Sequence, residues 1–243
     1  MGALLILSDV HCRYDLVNAQ VEHAERLRKK PVEAIVVVGD LGLYAHALHD
    51  FFRRREGRFL RPLFFVEGNH EEFAAFDQLV EEYRVHFTHL PRGEVRTLGE
   101  QRCLCLGGAR YLDAMNTPRG CLIQDRDIDR CLAHPPGSVD LVLSHDCPRG
   151  IGVPNTPGLE HYGPPGFDRG EEIAERFRPR IWVFGHHHQW FRAEVGGTTY
   201  QGLPESWRGY GLLDPDGRFE AIEHLLPPEP PAAQEGFWRR WFG

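Results

Sequence analysis

The chain has 243 residues, of which 42% are hydrophobic and 26% charged, a composition that excludes a disordered or fibrous protein. Its formal net charge of −7 and its pI near 6.0 argue against a general nucleic-acid binder, because non-specific binding depends on a basic surface. No apolar run reaches the roughly 18 residues of a membrane span, so we expect a cytoplasmic protein.

The first third of the chain predicts alternating strands and helices. Three continuous apolar runs, of the kind found in strands buried on both faces, cover residues 3–8, 34–38 and 63–66. A helical stretch follows each run and ends at Lys30, at Arg55 and at Tyr83, the last of them beginning at Glu71. This alternation indicates parallel strands joined by helices.

The rest of the chain predicts more strands and fewer helices. Further core strands are expected at residues 104–107, 139–144 and 181–185, and hairpins at 191–202 and 210–223. We therefore expect an α/β fold in which a two-layered β-sheet is flanked by helices, formed by residues 1–226. Residues 148–170 are rich in glycine and proline and form a loop long enough to need a functional explanation.

Residues 227–243 form a tail with a proline-rich spacer and an aromatic end. We expect the aromatic end to dock on its own domain rather than on a second subunit or a membrane surface. The oligomeric state is left open. Within the domain, Cys103 and Cys105 alternate in an apolar run, which favours reduced thiols on one strand face over zinc ligands.

Short segments dense in metal-ligand residue types follow five of the predicted strands. They are Ser8-Asp9-Val10-His11, Gly39-Asp40, Gly68-Asn69-His70-Glu71, Ser144-His145-Asp146 and Gly185-His186-His187-His188. Ligands of open α/β sheets bind beyond the carboxyl ends of the strands, so these segments should converge. The glycines before Asp40, Asn69 and His186 would let the backbone turn sharply there.

The residue types in these segments suit divalent ions such as Mn, Fe, Zn or Co, which accept carboxylate, imidazole and amide ligands. Seven candidate ligands are too many for one ion. Two ions about 3.5–4 Å apart can share a carboxylate, polarise an ester and lower the pKa of a bridging water towards neutrality. The sequence therefore predicts a dinuclear site.

The order of these segments resembles the pattern of calcineurin-like metallophosphoesterases, which is D-x-H, G-D, G-N-H-[ED], H and G-H-x-H. All five blocks occur in that order between residues 9 and 188. The resemblance implies a four-layer α/β/β/α fold and a hydrolase that cleaves a phosphate ester with a metal-bridging hydroxide. It also implies two divalent metal ions, for which manganese is preferred over Fe, Zn, Ni, Co or Mg.

The resemblance divides the seven candidate ligands between the two ions. The first ion would be bound by Asp9, His11 and His188, and the second by Asn69, His145 and His186. Asp40 would bridge both ions.

The resemblance also implies roles in catalysis and in substrate binding. His70 would contact the substrate phosphate and protonate or stabilise the leaving oxygen, an effect worth about 10²-fold to 10⁴-fold. His70 and Asp40 are the catalytic candidates. Asn69, His70 and Arg149 are the candidates for contact with the substrate.

Two segments narrow the choice of substrate class. Protein Ser/Thr phosphatases of this superfamily carry G-D-x-x-D-R-G, whereas Asp40 is followed by Leu-Gly-Leu-Tyr-Ala, with no arginine before Arg53. Residues 144–150, Ser-His-Asp-Cys-Pro-Arg-Gly, are similar to the S-H-D-W-P segment of RNA lariat debranching enzymes, although Asp9 replaces a cysteine found in many of those.

We therefore predict a phosphodiesterase acting on a small-molecule, nucleotide or nucleic-acid-like ester, although the net charge does not favour nucleic acid itself. The alternatives are a phosphomonoesterase or protein phosphatase, and a non-catalytic scaffold that retains the fold.

Several other polar residues have two interpretations. His187 should face away from His186 and His188 if the segment is extended. A supporting or surface role for His187 is therefore as plausible as a catalytic one. Asp146 could orient a ligand histidine or cap the following loop. The arginines at 53, 54, 55, 58 and 61 are interpreted as a solvated face rather than a polyanion patch. A structural role is expected for histidines 23, 46, 49, 86, 89, 134 and 224.

Overall fold

The computed structural model describes residues 2–110, 120–155, 157–158 and 160–227. Its strands are β1 (Leu4–Leu7), β2 (Ala34–Val38), β3 (Leu63–Val66), β4 (Thr88–His89), β5 (Val95–Leu98), β6 (Gln101–Leu106), β7 (Leu141–Ser144), β8 (Ile181–Phe184), β9 (Phe191–Val195), β10 (Thr198–Gly202), β11 (Gly209–Leu213) and β12 (Phe219–Glu223). Its α-helices are α1 (Tyr14–Arg28), α2 (Ala45–Leu48), α3 (Phe76–Glu82), α4 (Asp125–Leu132) and α5 (Gly170–Phe177). A π-helical segment, His49–Arg54, continues α2, and a 3-10 turn covers Glu160–Tyr162.

The strands form two mixed sheets of six strands each. The first sheet has the order β12-β11-β1-β2-β3-β4, and its strands β1 to β4 are parallel. The second sheet has the order β5-β6-β7-β8-β10-β9, and its strands β6, β7, β8 and β10 are parallel. The antiparallel strands lie at the edges of the parallel blocks.

Apolar side chains on both faces of each sheet create four layers. Because successive strand residues point to opposite faces, Ile6 of β1 packs between the sheets whereas Leu5 packs towards the helices α1 to α3. On the second sheet, Val142 of β7 packs towards α4 and α5. The fold predicted from the sequence, two sheets between helical layers, is confirmed.

The two cysteines of β6 follow the same rule. Cys103 and Cys105 are both fully buried in the layer between the sheets, and both are free thiols. The predicted placement of both cysteines on one strand face is therefore confirmed.

The helices differ from the prediction at two places. Helix α3 begins at Phe76 rather than at Glu71, because the Glu71 carboxylate turns inward and accepts the backbone N–H groups of Leu41 and Leu43. Helix α4 was not predicted from the spacing of apolar residues in the sequence. It begins where the Gln124 N–H donates to the Asp127 carboxylate at 3.0 Å.

The long loop predicted at 148–170 is present over its described residues and is closed at its base by a bridge between Pro148 and Phe167. No helix in the described part of the chain is long and apolar enough to cross a membrane. Apart from Pro227, the tail lies outside the described residues, and its docking stays a prediction.

Candidate metal centre

The five predicted ligand segments meet at one end of the two sheets. Those after β1, β2 and β3 carry Asp9, His11, Asp40 and Asn69 on the first sheet, and those after β7 and β8 carry His145, His186 and His188 on the second. Parallel strands place their carboxyl ends at a common edge. The two sheets bring these edges together, so the candidate ligands lie between them.

The first group of ligand atoms belongs to Asp9, His11 and His188, which all lie within 4.8 Å of one another. The His188 Nε2 atom is 3.1 Å from Asp9 Oδ1, and the His11 Nε2 atom is 3.8 Å from the same oxygen. These three residues are the ones predicted to bind the first ion.

The second group belongs to Asp9, Asp40 and His145, which also lie within 4.8 Å of one another and are all buried. The His145 Nε2 atom is 3.0 Å from Asn69 Oδ1 and 3.5 Å from Asp40 Oδ1. Asp9 thus belongs to both groups.

Asp40 lies between the two groups. Its Oδ2 atom is 3.8 Å from His11 Nε2, whereas its Oδ1 atom faces His145. A carboxylate with one oxygen towards each group is the arrangement required of a bridging ligand.

His186 lies at the rim of the second group. Its ring centroid is 5.0 Å from that of His145, and its backbone N–H donates to Asp9 Oδ2 at 3.1 Å. Its backbone is therefore attached to the centre, while its ring belongs to neither of the two ligand groups.

The backbone of the candidate ligands is unusual. Five of them adopt the left-handed region, with φ values of 52° at Asp9, 48° at His11, 53° at Asp40, 63° at His186 and 51° at His188. This region costs a residue other than glycine about 1–2 kcal/mol. Such outliers cluster at functional sites, where the surrounding structure holds them in place.

Of the three glycines predicted to make sharp turns, Gly39 has a positive φ of 90°, as expected. Gly68 and Gly185 do not have positive φ, so the sharp turns are made mostly by the ligands themselves. A Cβ atom at Gly68 would overlap Asp40, and one at Gly185 would overlap Ser8. These two glycines therefore allow the ligand loops to approach each other closely.

The electrostatics of the centre favour ionised carboxylates. Burial by itself would raise the pKa of Asp40, but His145, His70 and His11 lower that pKa to about 2. Burial is likewise outweighed at Asp9, where His188 contributes most to a pKa well below the usual range.

The two histidines of the first group shift in opposite directions. Burial lowers the pKa of His11 to about 4, so its imidazole is neutral near pH 7. Burial also acts to lower the pKa of His188, but Asp9 outweighs it and raises that pKa to about 9. A metal ion bound by His188 would displace this proton, which makes binding dependent on pH.

Two local features fit a bound cation. The Oδ2 atom of Asp40 is buried and accepts no hydrogen bond from any described residue. The His145 Nδ1–H donates to the Val38 carbonyl at 3.0 Å, which directs Nε2 towards the carbonyl oxygen of Asn69 and fixes the ring orientation. Buried carboxylate, imidazole and amide groups that converge in this way are a donor set that fits divalent metal ions.

The predicted substrate contacts lie in two different places. The His70 ring is 5.3 Å from that of His11, and its backbone N–H donates to Asp40 Oδ1 at 2.8 Å, so it adjoins the centre without joining either ligand group. The Arg149 guanidinium instead pairs with Asp168 at 2.5 Å and lines a cavity of about 740 Å³ beside α5. None of the candidate metal ligands lines this cavity.

His187 and Asp146 join two of the ligand loops. The His187 Nε2 atom is 3.0 Å from Asp146 Oδ1, and Asp146 also accepts the N–H groups of Arg110 and Cys147 at 2.9 and 2.7 Å. Asp146 therefore contacts His187 rather than a predicted ligand histidine, and its bond to the N–H of Cys147 fits the second interpretation, a cap of the following loop.

A sixth segment lies beside the centre and was not predicted from the sequence. Glu205 Oε1 is 3.7 Å from His188 Nδ1, and the Arg208 guanidinium donates to the His188 carbonyl at 2.9 Å. The Trp207 ring lies 6.3 Å from that of His11, with the Arg13 guanidinium 4.4 Å from its centroid. The sequence pattern does not mark these residues, because the strands β9 and β10 separate them from the last ligand block.

Most of the histidines and arginines interpreted as structural have partners of their own. His23 stacks on His224 at 3.5 Å, His86 stacks on Phe52, His89 contacts Glu67 and His134 contacts the Gly93 carbonyl. The arginine run makes ion pairs from Arg54 to Asp50, from Arg55 to Asp15 and from Arg61 to Glu25, and Arg53 lies over Tyr83. These contacts support a solvated face rather than a polyanion patch.

Solved structures share this fold at low sequence identity. The protein TT1561 of Thermus thermophilus is 15% identical with a TM-score of 0.61, and the match covers 91% of this chain and 98% of that one. GAP50, the anchor in the inner membrane complex of Plasmodium, is 10% identical with a TM-score of 0.54, covering 91% and 84%. At these identities the likeness concerns the fold alone. A search of the curated proteins finds no match.

The sequence also matches a family model directly. The model describes the calcineurin-like phosphoesterases and matches residues 3–190, a span that begins before Asp9 and ends after His188. All five ligand segments lie within this match, and the chain therefore belongs to the calcineurin-like phosphoesterase family.

Proposed function

We propose that the chain is a phosphoesterase that uses two divalent metal ions, with manganese preferred, and that its substrate is a phosphodiester of the nucleotide type. The observation that carries the proposal is the pair of adjoining ligand groups that share the buried Asp9, with Asp40 of the second group directing one oxygen towards His11 of the first. When bound at such groups, divalent ions polarise the ester and lower the pKa of a bound water.

The chain's own residues would orient the ester and handle its charge. Asp40 accepts the backbone N–H groups of Asn69 and His70 at 2.8 Å each, which fixes the backbone of both residues relative to the ligand groups. From that position His70 would hold the phosphate and give a proton to the leaving oxygen or stabilise it. Asn69 serves as ligand and as a contact for the substrate.

The preference for a diester rests on the sequence rather than on the cavity beside Arg149. The arginine that follows the second block in protein phosphatases is absent, and residues 144–150 are similar to a segment of lariat debranching enzymes. The test compares turnover of bis(p-nitrophenyl) phosphate and of p-nitrophenyl phosphate in Mn²⁺. We expect the diester to be the better substrate, and a clear preference for the monoester would contradict this part of the proposal.

The alternative of a non-catalytic scaffold requires a separate test, because GAP50 shows that an anchor protein can have this fold. We expect two metal ions per chain by elemental analysis, and a loss of at least about 10²-fold in kcat for Asp40→Asn and for His70→Ala. His134→Gln is the matched control, since its side chain contacts the Gly93 carbonyl at 2.7 Å and belongs to none of the ligand segments. Fewer than two ions together with no esterase activity would favour the scaffold.

A further inference from the structure

We propose that Ser8 is a positioning residue for metal binding, whose hydroxyl holds one oxygen of Asp9 so that the other oxygen faces the histidine ligands. This inference rests on the proposed two-metal function and adds a residue to it. Its observation is separate from the ligand pattern, because the D-x-H block assigns no role to the residue before Asp9.

The Ser8 hydroxyl contacts the Asp9 carboxylate directly. Both side chains are fully buried, and the hydroxyl donates to Asp9 Oδ2. The Val38 carbonyl is a second acceptor at 3.3 Å, but it also accepts the His145 Nδ1–H at 3.0 Å. Because a hydroxyl has one proton and an ionised carboxylate is the stronger acceptor, the Ser8 proton belongs to the bond with Asp9.

The two oxygens of Asp9 have different surroundings. Oδ2 accepts the Ser8 hydroxyl and also the His186 backbone N–H at 3.1 Å. Oδ1 is 3.1 Å from His188 Nε2 and 3.8 Å from His11 Nε2. The two donors on Oδ2 therefore fix the orientation of the carboxylate and direct Oδ1 towards the first ligand group.

Gly185 of the second sheet leaves the space that the Ser8 hydroxyl occupies. A Cβ atom at Gly185 would overlap this hydroxyl and would lie 2.7 Å from Asp9 Oδ2. The Gly185 N–H donates to the His145 carbonyl at 2.9 Å, which holds the glycine at this close approach. The contact between Ser8 and Asp9 is therefore enclosed by the ends of both sheets.

A serine in front of a predicted ligand does not always support it. Ser144 precedes His145 and is also fully buried. Its hydroxyl donates to the Asp146 carbonyl at 2.7 Å and accepts the Trp182 indole N–H at 2.7 Å. The role inferred for Ser8 therefore follows from its contact and not from its place in the sequence.

The chemistry of this contact affects metal affinity. Carboxylate ligands are held by hydrogen bonds from residues that do not bind the metal, and loss of such a partner typically costs about 10-fold to 100-fold in metal affinity. Without the Ser8 hydroxyl, Asp9 Oδ2 would lose one of its two donors. The carboxylate could then rotate, and Oδ1 would no longer be held towards His188 and His11.

The experiment titrates metal-free wild type, Ser8→Ala and Ser8→Thr with Mn²⁺, using calorimetry and the electron paramagnetic resonance signal of free Mn²⁺. We expect Ser8→Ala to raise the Kd of at least one ion by about 10-fold to 100-fold. Ser8→Thr keeps the hydroxyl and should bind Mn²⁺ more tightly than Ser8→Ala. Equal Kd values in Ser8→Ala and wild type, or equal losses in the two variants, would overturn the inference.

Thr198→Val is the matched control. The Thr198 hydroxyl is buried and donates to the Pro179 carbonyl at 2.9 Å, at the opposite end of β8 from Gly185. Both variants lose a buried hydroxyl, so both should have a lower Tm in EDTA, but Thr198→Val should bind Mn²⁺ as wild type does. An equal loss of Mn²⁺ affinity in Thr198→Val would show that Ser8 acts through stability alone, and would overturn the inference.

Circular dichroism in EDTA checks that Ser8→Ala folds. If it does not fold, Ser8→Cys replaces it, because a thiol is a weaker donor than a hydroxyl, and wild-type affinity in Ser8→Cys overturns the inference. If wild type binds two ions but hydrolyses no ester, the proposed function fails by itself, and the comparison of Kd values still decides the role of Ser8. Binding of no ion by wild type overturns both.

Discussion

Arg92 joins the two halves of the molecule close to the candidate centre. Its guanidinium lies 2.5 Å from Glu67 and 3.2 Å from Asp127, and it also donates to the carbonyls of Leu122 and Gly120. Glu67 directly follows β3 of the first sheet, and its carbonyl accepts the N–H of Gly108, which follows β6 of the second. We predict that Arg92→Met both destabilises the fold and loosens the alignment of the ligand loops.

The magnitude follows from burial. The side chains of Arg92, Glu67 and Asp127 are 11%, 8% and 4% exposed, so the variant leaves two buried carboxylates without their arginine. Breaking a buried ion pair in this way costs about 3–5 kcal/mol. For a domain of this size the loss corresponds to a fall in Tm of about 6–20 °C.

The pH dependence has a definite sign. Burial by itself would raise the pKa of Glu67, but His89 and Arg92 lower it from its usual 4.5 to about 2. The stabilisation from the ionised carboxylate is therefore complete above pH 4.5 and is lost as the pH falls towards 2. The difference between wild type and Arg92→Met should shrink over the same interval.

Urea unfolding at several pH values measures the loss of stability and its dependence on pH. The matched control is Arg102→Met, because Arg102 makes a bidentate pair with Asp140 but is 47% exposed, so its loss should cost at most about 1 kcal/mol. Similar losses in the two variants, or a large loss from Arg92→Met that does not change as the pH falls to about 2, would refute the reasoning.

Three further predictions concern other parts of the chain. Glu205→Gln removes the carboxylate 3.7 Å from His188 Nδ1 and should weaken binding of one Mn²⁺ ion by about 10-fold to 100-fold in calorimetry, and unchanged affinity would contradict the contact. Lys29→Gly, at the exposed end of α1 where φ is 53°, should raise the free energy of unfolding by about 0.5–1 kcal/mol in urea, and a decrease would show that the lysine contributes more than its backbone costs. Removal of the residues after Leu226 should lower Tm or change the mass measured by light scattering, and if neither changes the tail does not dock.

The convergence of the candidate ligands could be predicted because strand ends leave a local signature. Asp9, Asp40 and His145 each follow a buried apolar run closely, and parallel strands bring such positions to one edge regardless of what the rest of the chain does. The parallel pairing of the early strands was predictable for the same reason, since each apolar run is followed by a helical stretch.

The supporting residues could not be predicted, because their roles depend on tertiary contacts. Glu205 and Trp207 reach the centre through a loop before β11, and nothing in their own neighbourhood in the sequence distinguishes them from surface residues. Helix propensity suggested that α3 begins at Glu71, but hydrogen bonds from the Asp40 loop hold that carboxylate in the interior. The left-handed backbone at Asp9 and Asp40 could not be predicted either, because neither residue is a glycine.

Each ligand group draws side chains from both sheets, with Asp9 on one side of the interface and His145 or His188 on the other. An ion bound there would connect the two sheets. A ligand that binds only the native state stabilises it by about 2.7 kcal/mol when the free ligand concentration is roughly a hundred times the dissociation constant. Loss of the metal would then lower the stability of the interface between the two sheets as well as stop turnover. The half-life of the protein in the cell, and so its abundance, would follow the supply of the ion.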